Sequence, residues 1–149
     1  MISHSSSFIK MYIYLTSGGS QIFFSDNKAS SFRIRLSRPI ILYGEWEIAL
    51  EQVSIPQLDK NYKPVYIDIC SSACQPSILN HAEKQVLNRI FLSEIGNSGC
   101  IRLLAPHYLR VNTNNLYVID INLFDDKGEQ PSFGEGEVYC TLHLRRCLK

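Results

Sequence analysis

The sequence is short of charge of either sign. Its 149 residues carry 15 Lys and Arg against 14 Asp and Glu, a net charge of +1, and only 19% of the chain is charged. Proteins that hold polyanions are usually strongly basic with clustered Lys and Arg. Specific nucleic-acid binding is therefore not expected. Long apolar runs are missing too: no stretch approaches the ~20 apolar residues of a membrane span, so no span is expected. The start, "MISHSSSFIKMYIYL", has no apolar core of signal-peptide length, and its one positive charge is misplaced. The expectation is a protein made inside the cell and not secreted. The chain has no Gly-x-Ser-x-Gly elbow, no phosphate loop and no dinucleotide fingerprint.

Cysteine is present but badly arranged for chemistry. Cys70, Cys74, Cys100, Cys140 and Cys147 are an odd number at irregular spacings. Reduced, mostly buried thiols are expected. Cys70 and Cys74 lack the Cys-x-x-Cys spacing of redox motifs, and His81 completes no standard zinc spacing. His4, His81, His107 and His143 are scattered, so neither a metal nor a cofactor is expected.

What the chain does have is apolar and aromatic: 45% hydrophobic residues, with eight Tyr and seven Phe. A chain of this length buries roughly 70% of its unfolded surface in one core, without disulfide or metal. One domain over residues 1–149 is expected, with residues 1–10 as an N-terminal arm. The dominant period is two, the mark of strands. In "SFRIRLS", Phe32, Ile34 and Leu36 oppose Arg33 and Arg35. In "VYIDIC", Val65, Ile67 and Ile69 share a face; in "LYVIDINLF", Tyr117, Ile119, Ile121 and Leu123 do. The last run sets Val138, Cys140, Leu142 and Leu144 against Tyr139, Thr141, His143 and Arg145. Weaker runs cover Met11–Thr16, Gln21–Phe24, Gln85–Leu92 and Cys100–Leu104. Turn signals such as "TSGGS", "LYG", "IGNSG" and "DDKG" separate them. The pattern predicts an all-β single jelly-roll sandwich: about eight antiparallel strands in two sheets, with little helix. "PSILNHAEKQVL" is the one helical candidate, a turn or two from Pro76 or Ser77.

The segment "GEWEIALEQVSIP" holds the strongest candidate site. Trp46, Ile48 and Leu50 alternate with Glu45, Glu47 and Glu51 around Ala49. Same-face carboxylates on a strand sit ~7 Å apart, a spacing that suits inverting glycoside hydrolysis. General-acid chemistry also needs one carboxyl desolvated and the other ionised, and nothing here marks such asymmetry. The outward, wet or partner-facing side of a strand is the expectation. The apolar phase then flips from Leu50 to Val53 and Ile55, which predicts a β-bulge or strand exit near Gln52. Pro56 ends pairing because it lacks a donor. Arg33, Arg35 and Arg38 are expected to blunt a sheet edge or meet acids on a neighbouring chain.

Two blocks resemble a known family. "MYIYLTSGGS" followed by "DNKASSFRIRLSRPIILYGEWEIALEQVSIP" resembles the opening of penton proteins from Maverick/Polinton-type DNA viruses, including adintoviruses. "PHYLRVNTNNLYVIDINLFDDKGEQPSFGEGEVYCTLHLRR" resembles their close. The most specific matches are Gly44-Glu45-Trp46-Glu47 and Thr141-Leu142-His143-Leu144-Arg145-Arg146. Arg38 before Pro39 and Leu144 in place of an aromatic depart from the pattern, and residues 57–99 carry no match. The resemblance implies a structural subunit without a catalytic site, located in the virion. It implies a homopentamer at the fivefold vertices of an icosahedral capsid, beside a double-jelly-roll major capsid protein. A ring needs two complementary flanks on each subunit, for which Arg33, Arg35, Glu45, Glu47, His143 and Arg145 are the candidate interface residues. The alternatives are a lectin-like or receptor-binding β-sandwich using Trp46, a cement protein elsewhere in the particle, and, least favoured, a glycosidase.

Overall fold

The computed structural model describes residues 10–79, 81–96 and 98–147. Its strands are β1 (Lys10–Thr16), β2 (Ser31–Ile41), β3 (Trp46–Ser54), β4 (Tyr66–Cys70), β5 (Ser77–Leu79), β6 (Ala82–Lys84), β7 (Val86–Phe91), β8 (Cys100–Arg102), β9 (Leu109–Arg110), β10 (Asn115–Asp125) and β11 (Tyr139–Arg146). One sheet runs β1-β11-β3-β8 with β9 also beside β3; the other runs β2-β10-β4-β7; β5 and β6 form a separate hairpin. Every pairing is antiparallel. The chain changes sheet from β1 to β2, from β2 to β3 and from β3 to β4, which is the winding of a jelly roll. Lys10 opens β1 and so belongs to the sandwich; the rest of the expected N-terminal arm lies outside the described residues.

Alternation decides which side chains meet. Ile48, Leu50, Leu142 and Leu144 from the first sheet face Phe32, Ile67, Ile69, Ile119, Ile121 and Leu123 from the second, all in one buried cluster. The phase flip in β3 is a bulge: Leu142 pairs with Leu50 and Thr141 with Gln52, leaving Glu51 as the extra residue. Trp46, Ile48 and Leu50 therefore point inward before the bulge, and Val53 and Ile55 after it. Pairing of β3 stops at Ser54, two residues before Pro56. At the other end of the strand, Gly44 adopts φ +84°, a left-handed turn that swings the chain out of β2 into β3. The "DDKG" turn closes with Gly128 N–H donating to the Asp125 carbonyl at 3.0 Å, and Gly128 sits at φ +78°.

Several local expectations need correcting. The segment from Pro76 is not helical: it is the β5–β6 hairpin, with Ser77 opposite Lys84 and Leu79 opposite Ala82, followed by β7. A proline start and three-residue strands mimic one helical turn in apolar spacing. Gln21–Phe24 is a turn, closed by Phe23 and Phe24 N–H groups donating to the Ser20 carbonyl. Val65 lies just before β4 and is 59% exposed, outside the core. In β10 a second register shift falls between Leu116 and Val118. It sends Leu116 inward and turns Tyr117 out, so Tyr117 does not share the core face with Ile119, Ile121 and Leu123.

Candidate functional site

The three glutamates of the opening candidate each meet an arginine of the same chain. Glu45 pairs with Arg110 at 3.0 Å, Glu47 with Arg145 at 3.1 Å and Glu51 with Arg102 at 3.6 Å. Strand order explains the partners: β11 and β9 flank β3 at Glu47, and β8 lies opposite Gln52 beside the bulge. Each of the three carboxylates is thus engaged by a guanidinium from a neighbouring strand. General-acid catalysis needs two carboxyls in unlike surroundings, and these three share one kind of partner.

The same sheet face holds His143, Tyr12 and Tyr108. His143 sits across from Tyr12 on β1 and Ala49 on β3, and its ring stacks on Tyr12 at 4.6 Å between centroids. Tyr108, from the loop before β9, hydrogen-bonds His143 Nδ1 through its hydroxyl at 2.6 Å. Arg145 lies over the Tyr108 ring at 3.5 Å. The result is a continuous chain of contacts, Glu47–Arg145–Tyr108–His143–Tyr12, beside a cleft of about 510 Å³ that Glu51 and Arg102 also line. On the polar face of β11 the two tyrosines cover His143, and its Nε2 has no partner among the described residues. Neither tyrosine is near His143 in sequence, so only the pairing of β1 with β11 and the path of the loop reveal the cover.

Burial lowers the His143 pKa; Glu51 opposes the shift, while Lys10 and Arg145 reinforce it. Unfolded histidine titrates near ~6.5, so below that pH the unfolded chain binds the proton more readily than the folded one. The stability that neutral His143 contributes is complete above pH ~6.5 and is lost as pH falls through its lower folded value. We expect wild-type urea midpoints to drop as pH falls below about 6.5, and His143→Gln to flatten that part of the profile. A profile of equal slope in the variant would place the acid sensitivity in other groups.

The remaining interface candidates lie on the other sheet. Arg33 pairs with Asp26 at 3.0 Å and covers the Phe24 ring; Arg35 is held between the Phe23 and Tyr117 rings at 4.0 and 5.4 Å. The structure thus brings Glu45, Glu47, His143 and Arg145 together on one outer face and sets Arg33 and Arg35 on the opposite one. The three buried thiols, Cys70, Cys74 and Cys140, are poor nucleophiles. Burial pushes Cys70 and Cys140 up to about 12 and Cys74 up to about 11, and all five cysteines are free. Trp46 is 5% exposed, with its indole N–H donating to the Tyr43 carbonyl at 2.9 Å.

No family model and no curated protein matches the sequence. The architecture does match a solved structure, the selenomethionine-labelled mavirus penton protein, with a TM-score of 0.62 over 93% of this chain and 100% of that one. This chain shares its jelly-roll fold with a viral penton protein. Sequence identity is 7%, so the likeness is one of fold. It spans both sheets and all of the penton chain, with no part of that chain left over.

Proposed function

We propose that this protein is a capsid subunit of the penton type. It assembles with itself as a homopentamer and occupies the fivefold vertices of an icosahedral virion, beside a double-jelly-roll major capsid protein. Its role is structural, without a catalytic step. The observation that carries this reading is the match to the whole mavirus penton chain, and the two sequence blocks that resemble the family support it. The burial of Trp46 argues against a lectin-like groove, where an aromatic platform has to be open to a sugar.

In this reading the two outer sheet faces, with Arg33 and Arg35 on one and Glu45, Glu47, His143 and Arg145 on the other, meet neighbouring subunits. Arg33, Glu45, Glu47 and Arg145 already have partners within the chain. Arg35, which among the described residues has ring contacts but no ion pair, is the charge left for a neighbour. Native mass spectrometry of the purified chain tests the assembly: the expected result is a five-copy species that persists on dilution into the micromolar range. A strict monomer at high concentration overturns the proposal.

A further inference from the structure

The flank where the two sheets open onto solvent has the features of an unfilled strand site. Among the described residues, β1 is the end strand of its sheet and pairs on one side only, with β11. Of the other edge strands, β8 and β9 have three and two residues and β2 carries Pro39, while β7, with six residues, is long but has no groove between the sheets beside it. β1 has seven residues, no proline and one charge, Lys10 at its start. Between β1 and β2 lies a groove of about 600 Å³ whose lining includes Met11, Ile13, Ile40 and Tyr43 over a floor that Trp46 reaches. Tyr14, Ile41 and Tyr43 are exposed large apolar side chains on this flank.

Charge selects among occupants. Arg33, Arg89, Arg102, Arg110 and Arg145 each have a carboxylate in the chain. Arg38, which also lines the groove, has none among the described residues, and neither does Lys10. Lys10 opens β1 and Arg38 is near the close of β2. Lys10 marks one end of the flank, and Arg38 stands further along it, among the β2 residues from Leu36 to Ile41 that line the groove. A strand added to β1 would turn alternate side chains into the groove and the others beside Lys10, Tyr12 and Tyr14. Its backbone would bond to that edge, and carboxylates at the end beside Lys10 would meet that ammonium, with Arg38 the next cation along the groove.

We propose that the β1–β2 flank binds an extended segment of a partner protein, apolar along most of its length and acidic at one end, as an added strand on β1. This is independent of the penton reading, since an open edge and two unpaired cations need no pentamer. The test uses two capped peptides of β1's seven residues in length, alternating valine and threonine, one ending in glutamates and one in lysines. Amide hydrogen exchange and chemical shifts are followed by NMR. The expected result is slowed exchange across Lys10–Thr16, shifts at Arg38 and Tyr43, and about tenfold tighter binding of the glutamate peptide. In Lys10→Glu/Arg38→Glu, exposed positions that leave the core intact, the preference should invert toward the lysine peptide. Equal binding of both peptides, protection elsewhere, or no protection with either overturns the proposal. So does protection of β1 that rises with protein concentration alone, which would put a second copy on this edge.

Discussion

Replacing Trp46 with Ala is expected to lower the unfolding free energy by about 3–5 kcal/mol, the range for deleting a buried aromatic from a core. Trp46 begins β3 on the inward phase, is 5% exposed, and packs within the buried cluster. Its substitution leaves a cavity near the open flank and frees the Tyr43 carbonyl from its indole donor. Against a total stability of roughly 5–15 kcal/mol, that loss removes a large share. Trp46→Phe separates the two contributions: it keeps most of the apolar volume and forfeits the hydrogen bond, for about 1 kcal/mol. Urea unfolding followed by far-ultraviolet circular dichroism suits both, because neither variant retains tryptophan fluorescence. Equal midpoints for wild type and Trp46→Ala would mean the indole is not a core residue. The exposed-platform reading of Trp46 would then regain its force.

Trp46 also shows what alternation alone can establish. Inward Trp46, Ile48 and Leu50, the flip to Val53 and Ile55, and the β11 run from Val138 to Leu144 all follow from period two, because the sandwich buries one face of each strand. The bulge at Glu51 was readable for the same reason: a one-residue change of phase has no other solution in a continuous strand. The second irregularity, at Leu116–Val118, was hidden because Leu116, Tyr117, Val118 and Ile119 are all apolar or aromatic and give no contrast to read. The β5–β6 hairpin was hidden by its shortness, since three residues cannot establish a period. In the candidate site the residue types were readable and the partners were not. Glu45 finds Arg110 and Glu51 finds Arg102 only after β8 and β9 dock on β3. The cover over His143 likewise depends on Tyr12 and Tyr108, brought there by tertiary pairing.

Arg89→Met is expected to cost more than the loss of any ion pair around Glu45, Glu47 and Glu51. Arg89 on β7 donates to both oxygens of Asp68 on β4, at 2.7 and 3.1 Å, and its guanidinium also lies 3.8 Å from the Tyr66 ring centre. The difference from the other pairs is burial: the Asp68 side chain is 7% exposed, whereas Glu45 in its pair with Arg110 is 50% exposed. Exposed pairs contribute about 0–1 kcal/mol because water screens them and fixing long side chains costs entropy. Removing one partner of a buried pair strands a charge, at about 3–5 kcal/mol. Arg89 keeps 34% of its side chain in water, which places the expected loss near the lower bound, about 3 kcal/mol. Glu47→Gln, which breaks the half-exposed pair with Arg145, should shift the urea midpoint far less. The double variant Asp68→Leu/Arg89→Met distinguishes a stranded charge from lost packing, since an apolar replacement of both partners is often neutral. Recovery of most of the lost stability in the double variant supports the stranded charge. A double variant as unstable as Arg89→Met would instead trace the loss to the stacking of Arg89 on Tyr66 and to the packing of β7 on β4.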